Sequence, residues 1–377
     1  MASVRKRSWT APGRETKTAW MVDYYDNRGE RHRKHFSTKK AADVFRISVE
    51  GQLQSGIYRA DASKLTVKQA CERFIAHCEG RNKRDERMTR KMLVVYRGHV
   101  NNHILHREHG VGAWILVQLT ARAVNEFRDR LRIAGVSVPT TRKVLSTLHG
   151  ILEHAISQDW IATNSARGVR VIGTRSEGSK KVLPPPKEAM RALLHANAAD
   201  EDLRLKLIFA ASTGARAGEQ WAAKWQDVDF DKGELSIRLR VDAYGEEGAP
   251  KSRAGVRMVP LSDQLISALK AWKLRSKFSK PTDLIFPNKR GAYISHDNLV
   301  KRQFLPLFER LRLKRFNWHG LRHFAVSCWF EAGMSPKTVQ TFAGHASLQI
   351  TMDRYGHLFP SDSHNTAMDQ IAKGLFD

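Results

Sequence analysis

Helical periodicity over residues 63–171 is the feature that most constrains how this chain can fold. Four segments within it repeat apolar residues at i, i+3 and i+4, with few strand signals between them: 66–79, 85–105, 120–133 and 138–158. This spacing predicts amphipathic helices that pack their apolar stripes together, and we expect a helical domain at residues 61–172. Cys71 and Cys78 lie seven residues apart on the first pattern, so they are predicted to be small core residues rather than disulfide partners.

The preceding residues 1–60 carry a strand pattern first and a helical pattern afterwards. Alternation over 19–25 and a second run over 30–36 flank a turn signal at 26–29. A helical pattern then begins near Ser37. These residues are therefore predicted to form a small N-terminal sheet-plus-helix domain.

The following residues mix Gly, Ser and Lys with three prolines over 173–187, which is typical of a linker. Beyond it, in residues 188–377, helical patterns surround a strand-rich stretch at 225–260. This last part is predicted to be a mixed α/β domain. The whole chain is thus expected to be multidomain and mainly α, with α+β parts.

Charge points to an acidic polymer as the partner. The net charge is +26, and the excess of Lys and Arg over Asp and Glu occurs in all three parts. DNA or RNA is favoured over a membrane surface because no long basic amphipathic helix with an aromatic apolar face is evident. No apolar run approaches a membrane span and the first residues are polar, so a cytoplasmic protein is expected. The second helical pattern carries bases predicted to contact DNA phosphates, although such a run can also be a solvated face: Arg87, Arg90, Lys91 and Arg97.

Five short motifs in the last part supply groups that phosphoryl transfer needs. Cleaving a DNA backbone requires cations around the phosphorus, an acid for the leaving oxygen and an aligned nucleophile. In chain order the motifs are TGARAGE at 213–219, PKSR at 250–253, HGLRH at 319–323, GHAS at 344–347 and TMDRYGH at 351–357. Each motif is weak alone, but the set is specific.

These motifs, in this order, resemble those of the tyrosine recombinases, the phage integrase family. That family's pattern is T-G-x-R, a β-hairpin lysine, H-x-x-R, G-H or G-W, and a C-terminal tyrosine. The resemblance covers the predicted third domain and implies a catalytic domain of tyrosine recombinase type. Residues 61–172 resemble the family's helical, SAM-like core-binding domain. Residues 1–60 resemble, more loosely, its arm-type DNA-binding domain.

The resemblance implies roles for the cationic residues. Arg216 and Arg322 would hold the non-bridging oxygens of the scissile phosphate, which suits two permanently charged, planar guanidinium groups. His345 would hydrogen-bond the phosphate, and Glu219 would orient Arg216 or His319. Ala215 departs from the family, which usually has a larger apolar residue there, and this bears on packing only.

It also implies that Tyr355 is the nucleophile, that Lys251 protonates the departing 5′ oxygen, and that His319 helps Tyr355 lose its proton. Lys232 and Arg253 are rivals for the role of Lys251. No cofactor or metal is expected, because cations of the protein supply the positive charge. His319 and His323 have zinc-like spacing, but the zinc-protease pattern lacks its glutamate here.

The function implied is that of a site-specific DNA recombinase that integrates or excises a mobile element such as a phage, with viral genome integration as one case. Its partners would be double-stranded DNA attachment sites on the bacterial nucleoid or phage DNA, three further copies in a homotetramer, and accessory proteins such as an excisionase or a DNA-bending protein. A C-terminal helix at 361–376 would dock on a neighbouring protomer. The alternatives are a relaxing topoisomerase or hairpin-forming resolvase with the same chemistry, and a DNA-binding regulator without chemistry.

Overall fold

The computed structural model describes residues 2–9, 17–26, 29–54, 64–84, 86, 88–174, 183–197, 200–250, 252–358 and 368. The chain forms two compact units, residues 1–178 and 179–377. The assignment of three domains with a linker at 173–187 stays a prediction. None of the described helices is both long enough and apolar enough to cross a membrane.

The first unit begins with an antiparallel sheet in the order β1 (Ser3–Trp9), β2 (Lys17–Tyr25) and β3 (Arg31–Phe36). Helix α1 (Lys39–Gln54) packs on one face of the sheet, where Val22 and Tyr24 of β2 meet apolar side chains of α1. The predicted strands and helix are confirmed. Strand β1 was missed, because it has three consecutive charged residues, is largely exposed and shows no apolar alternation.

The helical stretch folds into four helices: α2 (Val67–Lys83), α3 (Arg90–His99), α4 (Ala121–Ile133) and α5 (Val138–Ser157). Thr or Ser side chains cap all four N-termini. Helix α3 begins five residues later than the pattern predicts, because Thr89 accepts a hydrogen bond from the amide of Met92. The shared core buries Cys71 and Cys78, as predicted.

The second unit is mainly helical: α6 (Lys187–Ala196), α7 (Glu201–Thr213), α8 (Ala217–Ala222), α9 (Asp263–Arg275), α10 (His296–Leu299), α11 (Leu305–Arg310), α12 (His319–Glu331), α13 (Pro336–Ala343) and α14 (Leu348–Tyr355). The predicted strand-rich stretch holds five short strands: β4 (Val228–Asp229), β5 (Glu234–Ile237), β6 (Arg240–Val241), β7 (Glu247–Gly248) and β8 (Arg257–Pro260). Strand β5 lies between β4 and β8, and β6 pairs with β7. Helix α12 packs along α7, so the N-termini of α8 and α12 approach each other.

Candidate active site

Arg216 occupies the N-cap position of α8, at the turn-to-helix junction that the sequence predicts. Glu219, one turn later, accepts from the Arg216 amide at 2.9 Å and from its Nη1 at 2.8 Å. The Arg216 side chain is 39% exposed, whereas that of Glu219 is 3% exposed. The guanidinium is therefore held at its base by a buried carboxylate and still reaches the surface.

Arg322 lies in the first turn of α12 and is buried. Its Nη1 donates to the carbonyl of Gly214 at 2.7 Å, and its Nη2 donates to the carbonyl of Ala343. Arg216 donates from Nη2 to the next carbonyl, that of Gly344, at 3.0 Å. Two predicted phosphate-binding arginines, 106 positions apart in the chain, thus converge on adjacent residues at the end of α13.

His345 follows these carbonyls, and its position depends on a left-handed turn. Helix α13 ends at Gly344 with a φ of 63°, a conformation that favours glycine. The buried His345 ring then hydrogen-bonds the Thr351 hydroxyl at 2.9 Å. It stacks on the ring of Tyr355, with the planes 14° apart and the centroids at 6.1 Å.

Tyr355 is the last residue of α14 and is fully buried. Its hydroxyl lies 2.5 Å from Nδ1 of His323, a residue that the sequence singles out only by its zinc-like spacing from His319. The ring of His319 does not take this position but packs edge-to-face on His323, with centroids 4.7 Å apart. Which of two histidines one turn apart faces the tyrosine depends on the rotation of α12, which a motif does not encode.

The electrostatics of these residues follow from burial beside several cations. Burial raises the pKa of Tyr355, and the nearby Arg322 and Arg354 oppose that rise. Burial, with Arg322, lowers the pKa of His323 to about 4, and burial with Arg322 and Arg216 lowers that of His345 to about 3. Both imidazoles are therefore neutral at pH 7, so each can accept a proton or a hydrogen bond.

Comparison with known proteins identifies the fold and the family. The phage integrase family model matches residues 186–362. A tyrosine recombinase XerC-like protein of Caldanaerobacter subterraneus subsp. tengcongensis is 25% identical, over 96% of this chain and 97% of its own. Residues 186–362 are a phage integrase, or tyrosine recombinase, family domain. The chain is accordingly a site-specific DNA recombinase of the integrase type.

Two solved structures share the fold of this recombinase. The Tn1549 transposon integrase in complex with a circular intermediate DNA gives a TM-score of 0.65 at 18% identity, over 81% of this chain and 99% of that chain. The lambda integrase tetramer bound to a Holliday junction gives a TM-score of 0.57 at 19% identity, over 86% of this chain and 93% of that chain.

Some of the other predicted site residues of the recombinase lie outside the part of the chain that the structure describes. Lys251 and Arg87 lie outside the described residues, and so does the predicted C-terminal helix apart from Met368. The rival Lys232 is 74% exposed and pairs with Asp229 at 3.7 Å. In the first unit, α3 displays the remaining predicted DNA-binding residues at its surface: Arg90, Lys91 and Arg97, the last paired with Glu79.

The zinc alternative gains no support from the described residues. His319 and His323 have no third ligand there, and the group of three that could share an ion lies instead between the end of β2 and the start of β3: Asp26, Glu30 and His32. The sequence also assigns no role to Arg257, the first residue of β8, although its buried guanidinium contacts Glu219. A lone arginine in a strand carries no signal that could have shown this contact.

Proposed function

We propose that this recombinase inserts a mobile DNA element such as a phage genome into a host chromosome, or excises it, through a 3′-phosphotyrosine at Tyr355. The tyrosine oxygen forms a bond to phosphorus while the bond from phosphorus to the 5′ oxygen breaks. The leaving oxygen takes a proton from an acid, the role predicted for Lys251. One ester replaces another, so rejoining needs no ATP.

One observation carries this proposal: Arg216 and Arg322 meet at the end of α13, immediately before the residue whose ring stacks on Tyr355. Each guanidinium has five N–H donors, so both keep donors for phosphate oxygens after contacting carbonyls. We propose that they hold the two non-bridging oxygens and that His345 donates a further hydrogen bond there.

The proton of Tyr355 is proposed to pass to His323. Nδ1 of His323 contacts the Tyr355 hydroxyl, and the ring is neutral at pH 7 because its pKa is lowered to about 4. His319 then assists, as its motif predicts, by packing on His323 and fixing that ring. Because Tyr355 is fully buried, the end of α14 must move before its oxygen reaches a DNA phosphate.

The sheet of the first unit is proposed to be a second DNA-binding surface, of the arm type. Arg5 of β1 pairs across Met21 with His35 of β3, on the face opposite α1. Arg7 and Arg33 lie on the same face and are exposed, since alternate strand residues share a face. Proteins that read DNA with β-strands place such strands in a groove of the duplex, where basic side chains meet the phosphates.

On DNA we propose a homotetramer that works in the cytoplasm, on the nucleoid or on phage DNA, with an excisionase or a DNA-bending protein as accessory factor. The likeness to the lambda integrase tetramer supports four copies. Helix α14 exposes apolar side chains that a neighbour's C-terminal helix would cover: Leu348, Ile350 and Met352. The basic face of α3 is proposed to contact phosphates of the core site.

Sequencing the DNA junctions that flank the gene should reveal attachment-site repeats, and a nicked suicide duplex built from them tests the chemistry. Cleavage releases a short strand and traps the protein covalently on the DNA. Wild type should form this complex and Tyr355→Phe should not. Tyr293→Phe is the matched control, because it removes another hydrogen-bonded hydroxyl of the same unit and should leave trapping intact. Binding without trapping by wild type would support the regulator, and relaxation of supercoils without strand exchange would support the topoisomerase.

A further inference from the structure

All three guanidinium nitrogens of Arg257 donate hydrogen bonds within the second unit. Its side chain is 2% exposed. Nε donates to the carbonyl of Phe342 at 2.6 Å, Nη1 to the carbonyl of Gly255 at 2.9 Å, and Nη2 to Oε2 of Glu219 at 2.9 Å. One side chain thus ties β8, the N-terminus of α8 and the C-terminus of α13 together.

The end of α13 receives three arginines on three consecutive carbonyls. Arg257 contacts that of Phe342, Arg322 that of Ala343, and Arg216 that of Gly344. The last carbonyls of a helix lack intrahelical donors and carry its partial negative charge, so they attract cations. The end of α13 therefore fixes the spacing of Arg216 and Arg322, and Arg257 fixes the end of α13.

Arg216, Arg257 and Arg322 form a charge cluster with Glu219, and the net charge of this cluster also depends on Arg257. Glu219 contacts Arg216 through Oε1 and Arg257 through Oε2. Burial alone would raise the pKa of Glu219, but Arg257 and Arg216 outweigh it and hold the carboxyl ionised. Without Arg257, Glu219 would offset the charge of Arg216, and the cluster would lose one of its two net positive charges. Attack on a phosphodiester adds negative charge around the phosphorus. The loss of a positive charge would therefore weaken the electrostatic stabilisation of the transition state.

We propose that Arg257 is a positioning residue for strand transfer: it offsets the charge of Glu219 and secures the end of α13, so that Arg216 stays oriented and electrostatically available to the phosphate. The inference rests on the proposed roles of Arg216 and Tyr355. Gly344 is part of the same arrangement. A Cβ there would lie 2.8 Å from the Ala254 carbonyl and 2.9 Å from Nη1 of Arg257, so a larger residue would push Arg257 away.

The test measures single-turnover covalent trapping on the nicked duplex. Removing a unit charge about 7 Å from a phosphate in an effective dielectric of about 20 corresponds to roughly a 50-fold slower rate, which is the loss expected for Arg257→Gln. The double variant Glu219→Gln/Arg257→Gln restores two net charges and should recover at least about tenfold of that loss. A residue needed only for folding predicts no such recovery.

Arg257→Lys keeps the charge without the three contacts, so its rate should fall between those of wild type and Arg257→Gln. If Arg257→Gln does not fold, the rate of Arg257→Lys still tests the proposal, and it should be below that of wild type. Arg238→Gln is the matched control, because Arg238 also pairs with a buried acid, Asp227, and should retain its rate. A wild-type rate in Arg257→Gln, or a double variant no faster than the single one, would overturn the inference. Failure of wild type to trap DNA, or trapping by Tyr355→Phe, would instead overturn the proposed function.

Discussion

Replacing His323 by glutamine is expected to slow DNA cleavage by about 100- to 10,000-fold, the usual contribution of a positioned general base. The structure places Nδ1 of His323 at 2.5 Å from the Tyr355 hydroxyl. Its pKa is lowered to about 4 by burial and Arg322, so the imidazole is a free base at neutral pH. A glutamine can still hydrogen-bond the hydroxyl but cannot take its proton. The chemistry should therefore suffer much more than the fold.

The stability of the same contact can be measured separately. His323→Leu leaves the fully buried Tyr355 hydroxyl without this partner, which should lower the free energy of unfolding by about 1–3 kcal/mol. In a Tyr355→Phe background the hydroxyl is absent, so the same substitution should cost about 1 kcal/mol less. Urea denaturation of wild type, His323→Leu, Tyr355→Phe and the double variant gives the coupling energy between the two side chains.

The rate assay is covalent trapping on the nicked duplex under single-turnover conditions, with saturating protein to separate binding from chemistry. His319→Gln is the control from the same helix, and its loss should be smaller because His319 contacts His323 rather than the hydroxyl. An unchanged rate in His323→Gln would refute the proton transfer proposed here. So would a larger loss in His319→Gln than in His323→Gln.

Three further outcomes are expected. The buried His345 has a pKa lowered to about 3 by burial and Arg322, whereas an unfolded histidine titrates near 6.5. The unfolded chain then binds the extra proton, so His345 alone should make stability fall from about pH 6.5 toward 3 by up to about 1.4 kcal/mol per pH unit, and the slope measured for His345→Gln should be shallower by that amount. Arg7→Ala should lower the slope of log affinity against log salt by about 1 on arm-type DNA and leave core-site binding unchanged, as fluorescence anisotropy would report. Burial raises the pKa of Cys71 to about 12, so iodoacetamide at pH 8 should label it only after unfolding, and native labelling would contradict that burial.

Local signals in the sequence predict most of the fold because the elements obey them. Helices α2 to α5 follow their apolar spacing and begin where Thr or Ser can cap them. Strand β1 could not be predicted, since its largely exposed residues are recognisable as a strand only by their pairing with β2. Pairing is a non-local property that a periodicity within seven residues does not contain.

The candidate site shows the same division. The motifs predict that Arg216, Arg322, His345 and Tyr355 share one site, and the fold places them close together. Their chemical roles stay predictions. Arg257 was not predicted to join them: its acceptor at Phe342 is a backbone carbonyl 85 residues away, which any residue type could supply. The choice of His323 over His319 was also hidden, since it depends on how α12 is rotated against α14.

The central claim is that the oxygen of Tyr355 becomes bonded to phosphorus between Arg216 and Arg322. Mass spectrometry of the trapped complex, after digestion of both protein and DNA, identifies the linked residue and the linked end of the DNA. We expect a peptide containing Tyr355 that carries a nucleotide through its 3′-phosphate, and none from Tyr355→Phe. A linkage on another residue, or through a 5′-phosphate, would contradict the claim.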